Sequence, residues 1–184
     1  MAFTPSTFKS NISSNGGGAR PSLYKVEINY GTAQSGMFSF DSDQALLVKA
    51  ANFPASNIAP LAVNYAGRAY KWGGFRTYDN WTVTVINDEN FGARNKMMKW
   101  MRYLSGQLDG LRDGTHGDPS ATGGTWYDGT GSVQQVSTGG GVIGPKYEFA
   151  NLWPTELGEI AVDWSSDALQ EYTIGFAYDH WTSS

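Results

Sequence analysis

Thr77-Tyr78-Asp79-Asn80-Trp81-Thr82-Val83-Thr84-Val85-Ile86 is the stretch whose pattern decides the fold class. In an extended chain Trp81, Val83 and Val85 fall on one side, while Thr82 and Thr84 fall on the other. That period of two belongs to a strand with one buried face, and aromatic and β-branched side chains suit the pleated surface. The reading predicts a strand over Thr77–Ile86, stopped by Asn87-Asp88. The same two residues are N-cap candidates for a helix beginning near Glu89, with acidic side chains at its positive end. Phe91, Met97, Trp100, Met101 and Leu104 form its apolar stripe, Arg94, Lys96, Lys99 and Arg102 cover much of the remainder, and Gly106 is a plausible C-cap.

Working outward, the alternation recurs. Tyr24, Val26, Ile28 and Tyr30 alternate with Lys25, Glu27 and Asn29. Ala45–Ala51 reads as a more apolar strand stopped by Pro54. Ile58–Trp72 reads as two extended pieces turning at Gly67, the second ended by Gly73-Gly74. Downstream, Lys146–Leu152, Gly158–Trp164 and Gln170–His180 are strand candidates. The fold class is therefore mainly β, antiparallel, with one flanking α-helix. Residues 21–184 form a single domain, and residues 1–20, polar and ending in Asn15-Gly16-Gly17-Gly18, are expected to be a flexible arm. Between Gly106 and Gly144 lie 12 of the 23 glycines. That 106–144 insertion reads as a long mobile loop or a weak hairpin, a kind of segment that calls for a partner.

A chain of 184 residues fits one domain, and such a domain buries about 70% of the surface that its unfolded chain exposes. With no cysteine, stability rests on packing and hydrogen bonds, and thiolate chemistry is excluded. Met1–Asn11 has no apolar run, so neither a signal peptide nor a membrane anchor is expected, and synthesis belongs in the cytoplasm. The net charge of -4 hides a polarity, because residues up to Gly106 carry a net +5 and those from Gln107 onward a net -9. A self-associating protein can use such polarity to fix head-to-tail orientation.

The chemistry-bearing residues do not assemble into a reactive set. His116 and His180 are the only histidines, without metal-ligand spacing. Gly139–Gly144 has the glycine spacing of a phosphate loop, but Pro145 stands where lysine is needed and no Ser or Thr follows. Asp109 and Asp113 lack the alternating oxygen ligands of a calcium loop. Glu156, Glu159 and Asp163 have no nucleophile or histidine nearby, and Glu159 and Asp163 would merely share one strand face. Basic residues are scattered over an acidic chain, so any contact with DNA should be slippery rather than tight. No catalytic, cofactor-binding or metal residues are assigned. An aromatic content of 14% on strands and helix, with no visible active site, favours a self-assembling structural protein. A carbohydrate-binding β-sandwich using Trp126 and Tyr127 is the alternative of a different class.

The sequence also resembles the major tail tube proteins of T-even-like contractile-tailed phages, a family that includes the inner-tube proteins of related contractile injection machines. The likeness runs from Ala19-Arg20-Pro21-Ser22-Leu23-Tyr24 through Asn52-Phe53-Pro54 and Phe75–Glu89 into Ala93-Arg94. It ends in Leu152-Trp153-Pro154-Thr155-Glu156-Leu157-Gly158-Glu159-Ile160, Asp163-Trp164 and Ala177–Trp181. The resemblance implies a β-sandwich or barrel-like subunit, with six copies closing a ring whose neighbouring strands join one lumenal β-barrel. Rings then stack into a virion tail tube inside a contractile sheath, with baseplate and tail-terminator proteins at its ends and double-stranded DNA passing through on ejection. A tube initiator at the baseplate is the other reading within this architecture. Gln107–Gly144 departs from the family in its glycine content.

If the chain builds a tube, its lumen must let a polyanion slide, which a continuous basic lining would prevent. The polar strand positions Glu27, Asn29, Thr82, Thr84, Glu171 and Thr173 are the lumen-facing candidates. Ring stacking is expected of Trp126, Tyr127, Asp109 and Asp113 on the glycine-rich loop, meeting Lys96, Lys99 and Arg102 of an adjacent copy.

Overall fold

The computed structural model describes residues 4–14, 16–29, 39–40, 42–105 and 129–184. In chain order the elements are α1 (Pro5–Ser14), β1 (Tyr24–Asn29), α2 (Ser42–Leu46), β2 (Val48–Ala51), β3 (Asn57–Tyr65) and β4 (Arg68–Thr77). They continue as β5 (Trp81–Ile86), α3 (Gly92–Leu104), β6 (Gly129–Val136), β7 (Val142–Leu157), β8 (Glu171–Ala177) and β9 (His180–Ser183).

The alternations become buried faces. Trp81, Val83 and Val85 of β5 are buried and sit opposite Phe176, Ile174 and Tyr172 of antiparallel β8, which are buried too. One sheet runs β1-β6-β7-β8-β5-β2, with β9 continuing beyond β8 along the same side of β7. The 16-residue β7 belongs to both halves. Its first part lies between β6 and β9, and its last part pairs with β8. Between the two, Asn151 adopts φ 54°, a left-handed conformation that bends the strand.

The bend folds the halves onto a common core. Trp81 of β5 stacks on Phe149 of β7 with ring centroids 4.4 Å apart, and Trp81 and Trp100 both contact Phe176. The outer strands nearly meet as well. The Tyr24 hydroxyl donates to the Val48 carbonyl at 2.8 Å across a cleft of about 670 Å³ between β1 and β2. The result is the expected antiparallel, barrel-like sandwich. Helix α3 lies against β7 with Ala93, Met97 and Trp100 buried, and Arg94 donates to the Gly158 carbonyl at 2.9 Å.

Several expectations need correction. α3 starts at Gly92, later than Glu89, because Phe91 takes a left-handed φ of 54° and the Asp88 carboxylate accepts the Gly92 N–H at 3.0 Å. Phe91 is therefore exposed and outside the apolar stripe. Ala45 and Leu46 form the end of α2 rather than the start of a strand. Gly73 and Gly74 do not end their strand. A Cβ at Gly74 would meet the Ala59 carbonyl oxygen at 2.6 Å, so the glycine lets β4 continue past a bulge to Thr77. Gly158–Trp164 is no strand. Gly158 returns its N–H to Thr173 and the chain leaves the sheet, so Glu159 and Asp163 share no strand face.

Residues 5–14 of the expected arm are helical. Thr4 caps the Thr7 N–H, Pro5 has its φ preset for the first turn, and Gly16 and Gly17 return N–H groups to Ser13 and Ile12. No side chain of α1 is buried.

The glycine-rich insertion is also partly regular. Residues 106–128 and the proposed Gly106 cap lie outside the described residues, but Gly129–Val136 is a strand within the main sheet, and Val142 opens β7. Two of its glycines answer to packing. A Cβ on Gly129 would stand 2.1 Å from the Leu152 carbonyl oxygen and 2.7 Å from the Trp100 ring, and one on Gly131 would stand 2.8 Å from Leu152 Cδ2.

Candidate assembly surfaces

Among the described residues β3 and β4 pair only with each other, and every residue of both is exposed. Their turn is tight because Ala66 and Gly67 both take positive φ, 51° and 77°, the handedness that matches strand twist in a two-residue hairpin loop. Register sets Leu61 opposite Trp72, Val63 opposite Tyr70 and Tyr65 opposite Arg68. Alternation then gathers these six side chains on one face. Tyr65 is 74% exposed and Trp72 66%. A lone two-stranded hairpin is marginal in water, and a contiguous apolar face of this kind marks an interaction site. The sequence showed two extended pieces around Gly67 but not that no described layer covers them.

The six lumen-facing candidates divide between the two outer faces of the sandwich. Thr82, Thr84, Thr173 and Glu171 share the solvent side of β5 and β8, with Thr84 directly opposite Thr173. Lys49 of β2 pairs with Glu171 at 2.6 Å on that side, and Glu156 lies against Gly175, the register partner of Thr82. Glu27 and Asn29 are on β1, across the core.

There Glu27 contacts Lys25 at 2.6 Å and Lys146 at 3.7 Å, and accepts the Ser132 hydroxyl at 3.2 Å. The hydrogen bond from Lys25 leads the causes that lower the Glu27 pKa. The bond to Glu148, 2.8 Å long, leads those that raise that of Lys146.

The stacking candidates fare differently. Trp126, Tyr127, Asp109 and Asp113 lie outside the described residues, as does the aromatic pair of the carbohydrate reading. Lys96 is engaged within its own subunit, donating to the Ser39 carbonyl and the Gln44 side chain, both at 3.0 Å. Lys99 and Arg102 are exposed.

A buried polar cluster sits where α3 begins. Among the described residues the Tyr172 hydroxyl, Asn87 Oδ1 and Asp88 Oδ1 have no hydrogen-bond partner, and the Arg94 guanidinium lies 5.1 Å from the Tyr172 ring centroid. Burial pushes the Tyr172 pKa up to about 12. Among the described residues no group of three acidic, histidine or cysteine side chains is placed to hold a metal, and no helix is long and apolar enough to cross a membrane.

This bent sheet with one packed helix is a fold shared with chains of contractile injection machines. It superimposes with a TM-score of 0.61 on a chain of the anti-feeding prophage tube-terminating cap, at 14% identity and 91% coverage of both chains. A chain of an extracellular contractile injection system's sheath-tube complex in the extended state gives 0.53 at 11% identity, covering 100% of this chain and 99% of that one.

The family model described as phage tail tube protein matches residues 4–184. Tail tube protein gp19 of Enterobacteria phage T4 is 34% identical over 164 residues, covering 89% of this chain and 90% of the relative. The tail tube protein of Serratia phage KSP90 is 23% identical over 180 residues, covering 95% and 94%. The chain belongs to the phage tail tube protein family. It is a structural subunit of a contractile phage tail tube and a component of the virion.

Proposed function

We propose that six copies close a ring, that rings stack into the inner tube, and that the β2-β5-β8 face lines the channel for double-stranded DNA. The role is structural, with no catalytic step and no cofactor. The observation that carries the assembly reading is the β3–β4 hairpin, whose apolar face is left exposed by every described part of the subunit. Burying one such side chain contributes about 1.5–3 kcal/mol, which a neighbouring copy supplies.

For the channel, Thr82, Thr84 and Thr173 present hydroxyls, Lys49, the one ammonium group that the described residues put on β2, β5 and β8, is neutralised by Glu171, and Glu156 adds a further carboxylate. Such a surface has no basic surplus on which phosphates stall. Sheath, baseplate and terminator proteins are the partners proposed outside and at the ends of the tube. On the helix side, Lys99 and Arg102 remain proposed contacts for acidic residues of an adjacent copy. Residues 1–20 act as an arm and 21–184 as the tube domain. The test is the mass and rotational symmetry of the purified protein. Six-fold rings or tubes are expected, and a chain that stays monomeric at high concentration with a tube-nucleating complex overturns the reading.

A further inference from the structure

The hairpin carries Arg68, Lys71 and Arg76 and no carboxylate. A second surface has the opposite character. Residues 158–170 leave the sheet between β7 and β8 with Glu159, Asp163 and Asp167 and no basic residue. Trp164 is fully exposed there, Val162 is 81% exposed, and Leu169 is 72% exposed. The segment is shaped rather than random. Asp163 accepts the Ser165 N–H at 2.9 Å and hydroxyl at 2.8 Å, the Gly158 carbonyl is held by Arg94, and Ile160 packs on the core. A tryptophan displayed on an anchored turn is a typical interface anchor.

The two surfaces lie at opposite ends of one strand pair. β4 ends four residues before Trp81, which is opposite Phe176. The 158–170 segment runs into Glu171, which is opposite Ile86. The intervening length of β5 is roughly 17 Å. Complementary patches at opposite ends of a subunit do not pair in a two-fold dimer. They join copies head to tail, and that contact propagates.

We infer that the basic aromatic hairpin of one copy docks on the acidic 158–170 turn of the next, with Tyr70 and Trp72 against Trp164 and Val162, and Arg68, on the same face, toward Glu159 and Asp167. The inference rests on the tube reading above and names the surface that receives the hairpin. Opposite charges set the direction and exclude hairpin-to-hairpin contact, while the aromatic groups supply the burial.

Charge exchange tests it. The variants R68E and E159K/D167K alter exposed side chains, and thermal unfolding matching the parent shows that each folds. Each alone places like charges across the contact, and neither is expected to grow tubes. Mixed together, every hairpin finds an opposite turn in an alternating arrangement, and electron microscopy is expected to show tubes again. Normal tubes from either variant alone, or no recovery on mixing while the parent protein polymerises, overturns the pairing and leaves the tube reading standing. A parent chain that forms no assembly under the same conditions overturns the tube reading itself and the pairing with it.

Discussion

Asn151 donates its side-chain amide to the carboxylate of Asp179, tying the left-handed residue of β7 to the break between β8 and β9. The Asp179 N–H returns to the Ala150 carbonyl at 3.1 Å. Two interruptions on adjacent strands thus coincide and support each other, and the sheet turns there so that Phe149 reaches Trp81. Replacing Asn151 with valine forces a β-branched residue into φ 54° and removes the bond to Asp179. The expected loss is about 1–3 kcal/mol of stability, read by denaturant unfolding, while Asn151→Gly keeps the backbone geometry and loses less.

Gly129→Ala probes the contact between β6 and the core. The added methyl meets the Leu152 carbonyl oxygen and the Trp100 ring, neither of which can withdraw without moving a strand or α3. Overpacking of this kind costs about 1–3 kcal/mol. Gly139→Ala, whose nearest neighbour is the Ser137 hydroxyl at 3.8 Å, is expected to leave the thermal midpoint nearly unchanged.

The contrast between those two glycines shows where sequence reading stopped. Trp81-Thr82-Val83-Thr84-Val85 and Tyr172–Phe176 were legible because one buried face and one wet face write a period of two into the chain. The strand at Gly129–Val136 was not, since glycines chosen for close approach to Trp100 and Trp81 look the same as glycines chosen for freedom. The turn at Phe91 and the bend at Asn151 were hidden for a related reason: a single left-handed residue leaves no periodic mark. The polar faces were identifiable, but their division between opposite sides of the sandwich depends on the bend in β7. The two extended pieces turning at Gly67 were readable, whereas the exposure of both faces of the hairpin is a property of the tertiary structure.

Tyr172 gives the fold a pH limit. Its pKa is raised to about 12 from 10.0, with burial as the chief cause. The folded state therefore holds the phenolic proton more tightly than the unfolded chain. This contribution is complete below pH 10 and is lost as pH rises toward 12. The loss amounts to roughly 2 kcal/mol. Tyrosinate absorbance of the folded chain should show Tyr172 ionising near pH 12, later than an exposed tyrosine, and Tyr172→Phe should flatten the stability profile between pH 10 and 12.

Thr82→Lys tests the channel face. Thr82 is exposed on β5, so folding and tube growth should be retained. Repeated around each ring, the added ammonium groups attract DNA phosphates, and genome release from virions carrying the variant should slow and regain speed as salt is raised. Asn29→Lys, on the other side of the sandwich, should leave release unchanged.

In the proposed assembly the β3–β4 hairpin exists for a neighbouring copy, and removing it should abolish the tube. Asn57 and Thr77 are register partners, so the hairpin can be cut at its base and closed by a short glycine-serine turn without stretching the chain. None of its residues contributes to the buried core. Thermal unfolding of the shortened chain should match that of the parent subunit, while electron microscopy under assembly conditions should show no tubes. Tubes of ordinary length and symmetry from the shortened chain would contradict the account.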